Sequence, residues 1–156
     1  AVLSGKRHAT GLELDFTGRI TPRWEAYGSF MWIPDARIDE AYKDPAGSDN
    51  ERTGARPSLT PRISATLWNT YQINGTWRIG AGLNHRSAQT PNRNPGWEAP
   101  AFTTADVMAE YRYDEQLTFK GNVSNLTNKL YADQLYSGHY VPGAGRLVQV
   151  TGSYKF

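Results

Sequence analysis

With 156 residues, the chain fits a single domain and can bury a sizeable core. Its 17 basic and 15 acidic residues leave a net charge of +2, too balanced for a nucleic-acid partner. The absence of cysteine excludes a disulfide scaffold, thiolate metal sites and cysteine nucleophiles. Mean hydropathy is negative, and no apolar run approaches the ~20 residues of a membrane helix. A barrel strand escapes that test, because it alternates. The opening Ala-Val-Leu-Ser-Gly has no basic-then-apolar signal segment and suits an excised or processed piece.

Residues 9–20 alternate Leu12, Leu14, Phe16, Gly18 and Ile20 against Glu13, Asp15, Thr17 and Arg19, the period of a strand apolar on one side. Thr21-Pro-Arg23 makes a tight turn. From Trp24 the apolar set continues through Ala26, Gly28, Phe30 and Trp32, opposed by Glu25, Tyr27, Ser29 and Met31. Pro34 is expected to mark the frayed upper part of that strand. Residues 41–57 are polar and rich in Gly and Pro, a long loop. In 58–73, Ile63, Ala65, Leu67 and Tyr71 oppose Arg62, Ser64, Thr66 and Thr70. Asn74-Gly75 is a strong hairpin signal. Trp77, Ile79, Ala81 and Leu83 then oppose Arg78, Gly80, Gly82, Asn84 and Arg86.

A second long loop covers 87–100. Ala105, Val107, Ala109 and Tyr111 oppose Thr104, Asp106, Met108, Glu110 and Arg112, and Asp114-Glu-Gln116 turns the chain. Leu117, Phe119, Gly121 and Val123 oppose Thr118, Lys120, Asn122 and Ser124. A third long loop, 127–145, leads into the last strand, where Val148, Val150, Gly152, Tyr154 and Phe156 alternate with Gln149, Thr151, Ser153 and Lys155.

Connections thus alternate short and long, and the charges keep to one face. This is an all-β antiparallel meander of roughly seven strands with the pattern of an outer-membrane barrel. Trp24, Tyr71, Trp77, Tyr111, Tyr113 and Tyr154 gather where strands meet short turns, as an interfacial girdle requires. A soluble sandwich or lipocalin-like barrel also alternates, but its turns need not sort by length.

Val123-Ser-Asn-Leu-Thr-Asn-Lys-Leu-Tyr131 resembles the penultimate strand of the TonB-dependent outer-membrane receptors, which reads aliphatic-x-Asn-Asn-Leu-x-[Asn/Asp]-Lys-x-Tyr; Ser124 is the one departure. Tyr140-Val-Pro-Gly-Ala-Gly-Arg146 resembles that family's Tyr-x-Pro-Gly-x-x-Arg, and Phe156 its terminal aromatic. Gly11-Leu-Glu-Leu-Asp15, Ile20-Thr-Pro-Arg-Trp24 and Pro57-Ser-Leu-Thr-Pro61 resemble pieces of siderophore-receptor barrels. The likeness covers almost the whole chain. It implies a segment of a barrel of about 22 strands whose lumen holds a plug. Residues 1–156 would be the C-terminal part of that barrel, without the plug and with the strand at 9–20 exposing an edge.

The resemblance further implies a parent that imports ferric siderophores across the bacterial outer membrane. Its partners would be lipid, the rest of the barrel and plug, the TonB energy-transducing protein and the outer-membrane insertion machinery. The C-terminus would lie on the periplasmic side, with Val148, Val150, Tyr154 and Phe156 as the assembly signal. No covalently bound cofactor and no nucleic acid are expected. Candidate ligand contacts are Arg86, Trp97, Tyr136, His139 and Tyr140, since loop aromatics and an Arg suit flat anionic chelates. The same residues could instead pack loop against loop or sit in the headgroup belt. His8, His85 and His139 share no ligand spacing, and Asp44, Asp49 and Glu51 do not match a calcium loop. Three formal glycosylation triplets at Asn74, Asn122 and Asn125 have no meaning in a bacterial barrel. No nucleophile constellation supports an enzyme. A passive porin or adhesin anchor is the alternative, and the Asn-Leu-Thr-Asn-Lys-x-Tyr stretch speaks for the importer.

Overall fold

A computed structural model of the chain describes residues 5–41 and 51–156. Asp44, Asp49 and most of the first long loop lie outside the described residues. The strands are β1 (Lys6–Thr21), β2 (Trp24–Glu40), β3 (Ile63–Gln72), β4 (Trp77–Arg86), β5 (Phe102–Arg112), β6 (Leu117–Ser124), β7 (Ala132–Leu135), β8 (Tyr140–Pro142) and β9 (Leu147–Tyr154). Seven of them form one antiparallel sheet in the order β1-β2-β3-β4-β5-β6-β9. The sheet is open, with β1 and β9 as its edges.

Register keeps the two faces separate across all seven strands. Phe16 pairs with Gly28, Gly28 with Leu67, Leu67 with Leu83, Leu83 with Ala105. Further along, Ala109 pairs with Gly121 and Gly121 with Val150. A one-residue slip anywhere would turn a whole strand over. The apolar face is not covered by protein: Leu14 is 55% exposed, Leu83 51% and Val150 75%. A soluble sandwich would bury these side chains, and an apolar sheet of this extent is stable only against lipid or a partner.

Two residues break the expected alternation. Trp68 stands on the polar face and Asn69 on the apolar one. The Trp68 indole lies over Gly80 and Gly82, where a Cβ at Gly80 would come within 2.8 Å of its ring and one at Gly82 would overlap it. The glycines on the polar face of β4 are therefore a slot for an aromatic ring.

The short turns also differ in mechanism from the sequence reading. Gly75 is not in the left-handed region, so Asn74-Gly75 does not form the two-residue turn that the dipeptide favours. Instead Asn74 Oδ1 accepts from the Thr76 and Trp77 amides at 2.9 and 2.8 Å, inside a loop closed by Ile73 N donating to Trp77 O. Asp114 repeats the device, its Oδ1 accepting from the Gln116 and Leu117 amides at 2.8 and 2.7 Å. The side chain of the first loop residue sets both turns.

Pro34 does not fray β2, which runs on to Glu40. The β1–β2 register shifts between Thr10 and Leu12, so Gly11 faces the two residues Ile33 and Pro34. A bulge absorbs the missing amide donor, and Gly11 permits the close approach, since a Cβ there would contact Trp32 O and Ile33. Beyond the bulge, β1 and β2 rise past the start of β3 at Ile63 as a two-stranded arm. Residues 51–62 strap back against it: Ile38 donates to Ala55 O, and Gly54 to Ile38 O. Arg56 clamps the strap by donating to the carbonyls of Ile33, Thr60 and Pro61. Burial, with Arg62 nearby, lowers the Arg56 pKa from its usual value. The strand expected over 58–73 thus begins only at Ile63, its first residues belonging to the strap.

The third long loop, read as irregular over 127–145, contains the small antiparallel pair β7–β8. Its strands are too short and irregular for a period-two signal to register.

Candidate functional site

Site geometry begins with the bracket that ties the loop after β6 to the start of β9. Asn125 and Asn128 both adopt left-handed backbone, at φ 48° and 53°, a conformation that Asn tolerates better than most residues. Buried Asn125 is fully satisfied. Its Nδ2 donates to Lys129 O and Ala144 O, each at 2.9 Å, and its Oδ1 accepts from Lys129 N at 2.8 Å. Asn128 Oδ1 accepts from Arg146 N at 2.9 Å, one residue before β9. The Tyr131 ring lies over Gly143, where a Cβ would fall inside it, and stacks on Phe102 at 4.3 Å. Gly143 N donates to Tyr131 O. Burial, and then the charges of Asp133 and Asp106, pushes the Tyr131 phenol up from its usual pKa.

From this bracket a polar ladder crosses the charged face. Asp106 accepts the Asn125 amide on one oxygen at 2.8 Å and Asn84 Nδ2 on the other at 3.1 Å. Asn84 Oδ1 in turn accepts from Thr66 Oγ1. The ladder lines a recess of about 340 Å³ together with Ser64, Arg86 and Ser124. Further toward the short turns, Arg78 pairs with Glu110 at 3.1 Å and Arg19 with Glu25 at 3.0 Å.

The loop aromatics Trp97, Tyr136, His139 and Tyr140 do not line the recess but pair with one another. Trp97 stacks on Tyr140 with centroids 6.1 Å apart, and Tyr136 on His139 at 4.7 Å. Asn94 Nδ2 donates to Ser137 O at 2.9 Å, joining the second long loop to the third. Tyr136 N closes the β7–β8 hairpin on His139 O. Trp97, Tyr136 and Tyr140 remain exposed. Arg86 stands apart from them. Its Nη1 donates to Asp133 O at 3.0 Å, and its guanidinium sits 5.5 Å from the Phe102 centroid, so it supports the loop from beneath.

At the opposite end of the sheet, rings at the strand ends near the short turns meet in two clusters. Trp77 meets Tyr111 at 4.7 Å, Tyr111 meets Tyr113 edge-on, and Tyr154 meets Phe156 edge-on at 5.4 Å. Val148, Val150 and Tyr154 lie on the apolar face of β9, paired with Val123, Gly121 and Leu117.

The sequence model of the family described as "TonB dependent receptor-like, beta-barrel" matches residues 1–126. The chain belongs to the TonB-dependent receptor β-barrel family. The probable TonB-dependent receptor BfrD of Bordetella pertussis is 31% identical over 158 residues, a match covering 95% of this chain and 20% of that protein. The catecholate siderophore receptor Fiu of Escherichia coli K12 is 30% identical over 159 residues, covering 97% and 20%. The crystal structure of the siderophore receptor PiuA from Acinetobacter baumannii superimposes with a TM-score of 0.84 at 25% identity, covering 96% of this chain and 22% of that one. The chain therefore spans about a fifth of the length of these relatives. Within the TonB-dependent receptor fold, the motif residues Asn125, Asn128, Tyr131 and Gly143 have a mechanical part that motif matching alone does not disclose. The sequence places Asp106 and Asn84 on the polar face without marking them as a ladder, and the part played by Trp68 escapes it, since each depends on a partner across the sheet. The one signal was the pair Gly80 and Gly82, the slot that implies a ring opposite.

Proposed function

We propose that residues 1–156 form the C-terminal part of the barrel wall in a TonB-dependent outer-membrane receptor that imports ferric siderophores. The stacked pairs Trp97–Tyr140 and Tyr136–His139, exposed on joined loops, carry this reading. Flat π faces stack on the planar catechol rings of a ferric chelate, and a preformed pair loses little conformational freedom on binding. Arg86 serves as the positive charge beneath them and as the prop of the third loop. In this reading the long loops face outside, the short turns and C-terminus face the periplasm, and lipid contacts the apolar face. A plug occupies the lumen against the charged wall, and the TonB protein pulls on the plug through a part of the receptor outside this chain. The chain is a transporter wall, not an enzyme, and the ferric siderophore is cargo, with no covalently held cofactor.

The test is binding of a ferric catecholate to the receptor carrying W97A and Y140A together. We expect affinity to fall about tenfold, the equivalent of ~1.4 kcal/mol, with folded barrel levels unchanged. Undiminished affinity would remove these aromatics from the site. A porin or adhesin anchor, the second reading, predicts no saturable chelate binding at all.

β9 is proposed as the strand that the insertion machinery reads, through Val148, Val150, Tyr154 and Phe156. Deleting Phe156 should lower outer-membrane levels of the receptor while leaving its synthesis intact; equal membrane levels would refute that role.

A further inference from the structure

The apolar face carries one polar residue in its short-turn half. Asn69 pairs with Ala26 on one side and Ala81 on the other. Trp24 Nε1 donates to Asn69 Oδ1 at 3.0 Å. An indole N–H can only donate, so the carboxamide oxygen must point to Trp24 and the NH₂ away from it. Among the described residues that NH₂ has no acceptor. Asn69 lines a depression of about 230 Å³ together with Trp24, Tyr71, Ile79 and Ala81.

Depth decides what the NH₂ meets. Trp24 and Tyr71 are cross-strand partners one pleat nearer the short turns, within the aromatic girdle. Girdle rings mark the headgroup level. Two residues further in, at a rise of ~3.3 Å each along a strand tilted by ~40°, Asn69 sits roughly 5 Å below them. That is the level of the glycerol backbone and the first acyl carbons. An unpaired amide donor is costly in hydrocarbon. At this depth the acceptor that lipid supplies is an ester carbonyl.

We infer that Asn69 and the depression beside it bind one glycerophospholipid. An ester carbonyl accepts from Asn69 Nδ2, and an acyl chain lies over Ala81 against Ile79 and Tyr71. Trp24 orients the carboxamide and is a positioning residue. The inference rests on the reading of this face as lipid-facing.

The experiment is native mass spectrometry of the full receptor, extracted in mild detergent and offered equal amounts of diester and diether phosphatidylethanolamine. The wild type should retain the diester lipid about fivefold over the diether, the equivalent of ~1 kcal/mol. Asn69→Leu should retain the two alike. Ala81→Phe fills the depression while leaving the Trp24–Asn69 bond, and should retain neither; it decides the matter if Asn69→Leu does not assemble. Equal retention of both lipids by the wild type, or full diester preference in either variant, overturns the site. The 156 residues hold no cysteine, and in the full receptor, with any cysteine elsewhere replaced, a spin label at Leu83→Cys reports separately on the face itself. Oxygen accessibility typical of lipid there, without ester preference, overturns only the site. Accessibility typical of water overturns the lipid-facing reading together with it.

Discussion

Replacing Asn125 by Ala is the most direct way to ask whether the Asn-Leu-Thr-Asn-Lys-x-Tyr stretch is a mechanical bracket. The side chain makes three hydrogen bonds, to Lys129 O, Ala144 O and Lys129 N. At ~1 kcal/mol each they contribute about 3 kcal/mol. Ala at φ 48° adds ~1 kcal/mol of backbone strain. Against this, Lys129 and Ala144 are exposed, so their freed groups regain water and the net cost falls to about 2–3 kcal/mol. Asn125→Gly should cost roughly 1 kcal/mol less than Ala, because it removes the strain and not the lost bonds. The cost should be local. The third loop would open while β1–β5 stay paired, so trypsin should cut after Lys129 and Arg146 at least tenfold faster, with the heat-resistant barrel retained. Wild-type cleavage rates in Asn125→Ala, or equal rates in the Ala and Gly variants, would refute the reasoning.

Gly82→Val should force Trp68 out of its slot and destabilise the sheet by about 1–3 kcal/mol. Gly121→Ala, where nothing lies within 4 Å of the new methyl, should leave stability unchanged; heat-modifiability on gels compares the two. On the two-stranded arm beyond the bulge, His8 Nδ1 meets Asp39 at 2.9 Å and Nε2 meets Asp35 at 3.2 Å. Hydrogen bonds to Asp39 and then to Asp35 raise the His8 pKa above its ordinary 6.5. The folded arm therefore gains stability that is fully present below the free-imidazole value and is lost as pH rises through the raised one. Amide exchange at residues 35–39 should accelerate across that window beyond its intrinsic pH dependence, and His8→Gln should abolish the extra acceleration.

How much was legible in the sequence follows from the period of a strand. Alternation is written residue by residue, so Leu12 to Ile20, Ile79 to Leu83 and Val148 to Tyr154 announced their faces without a neighbour. Loop lengths announced which end of the sheet carries the short turns and which the long loops. What failed to show was every feature that depends on which residue lies opposite. Pro34 looked like a strand end until Gly11 stood across from it and made a bulge. Gly80 and Gly82 looked like weak strand residues until Trp68 covered them, and Asn74-Gly75 signalled a turn that the Asn side chain builds in another way. The candidate site divides along the same line. The loop aromatics Trp97, Tyr136, His139 and Tyr140 could be nominated from residue type alone. Their stacking into two pairs, the separation of Arg86 from them, and the role of Asn125 are fixed by contacts between residues distant in sequence. Local periodicity was enough for the seven strands of the large sheet and their two faces, and loop lengths for its short-turn and long-loop rims, though not for β7, β8 or the start of β3. Only the tertiary structure decided the bulge, the aromatic slot, the Asn bracket and the Trp24–Asn69 pair, because each requires a partner that local sequence cannot specify.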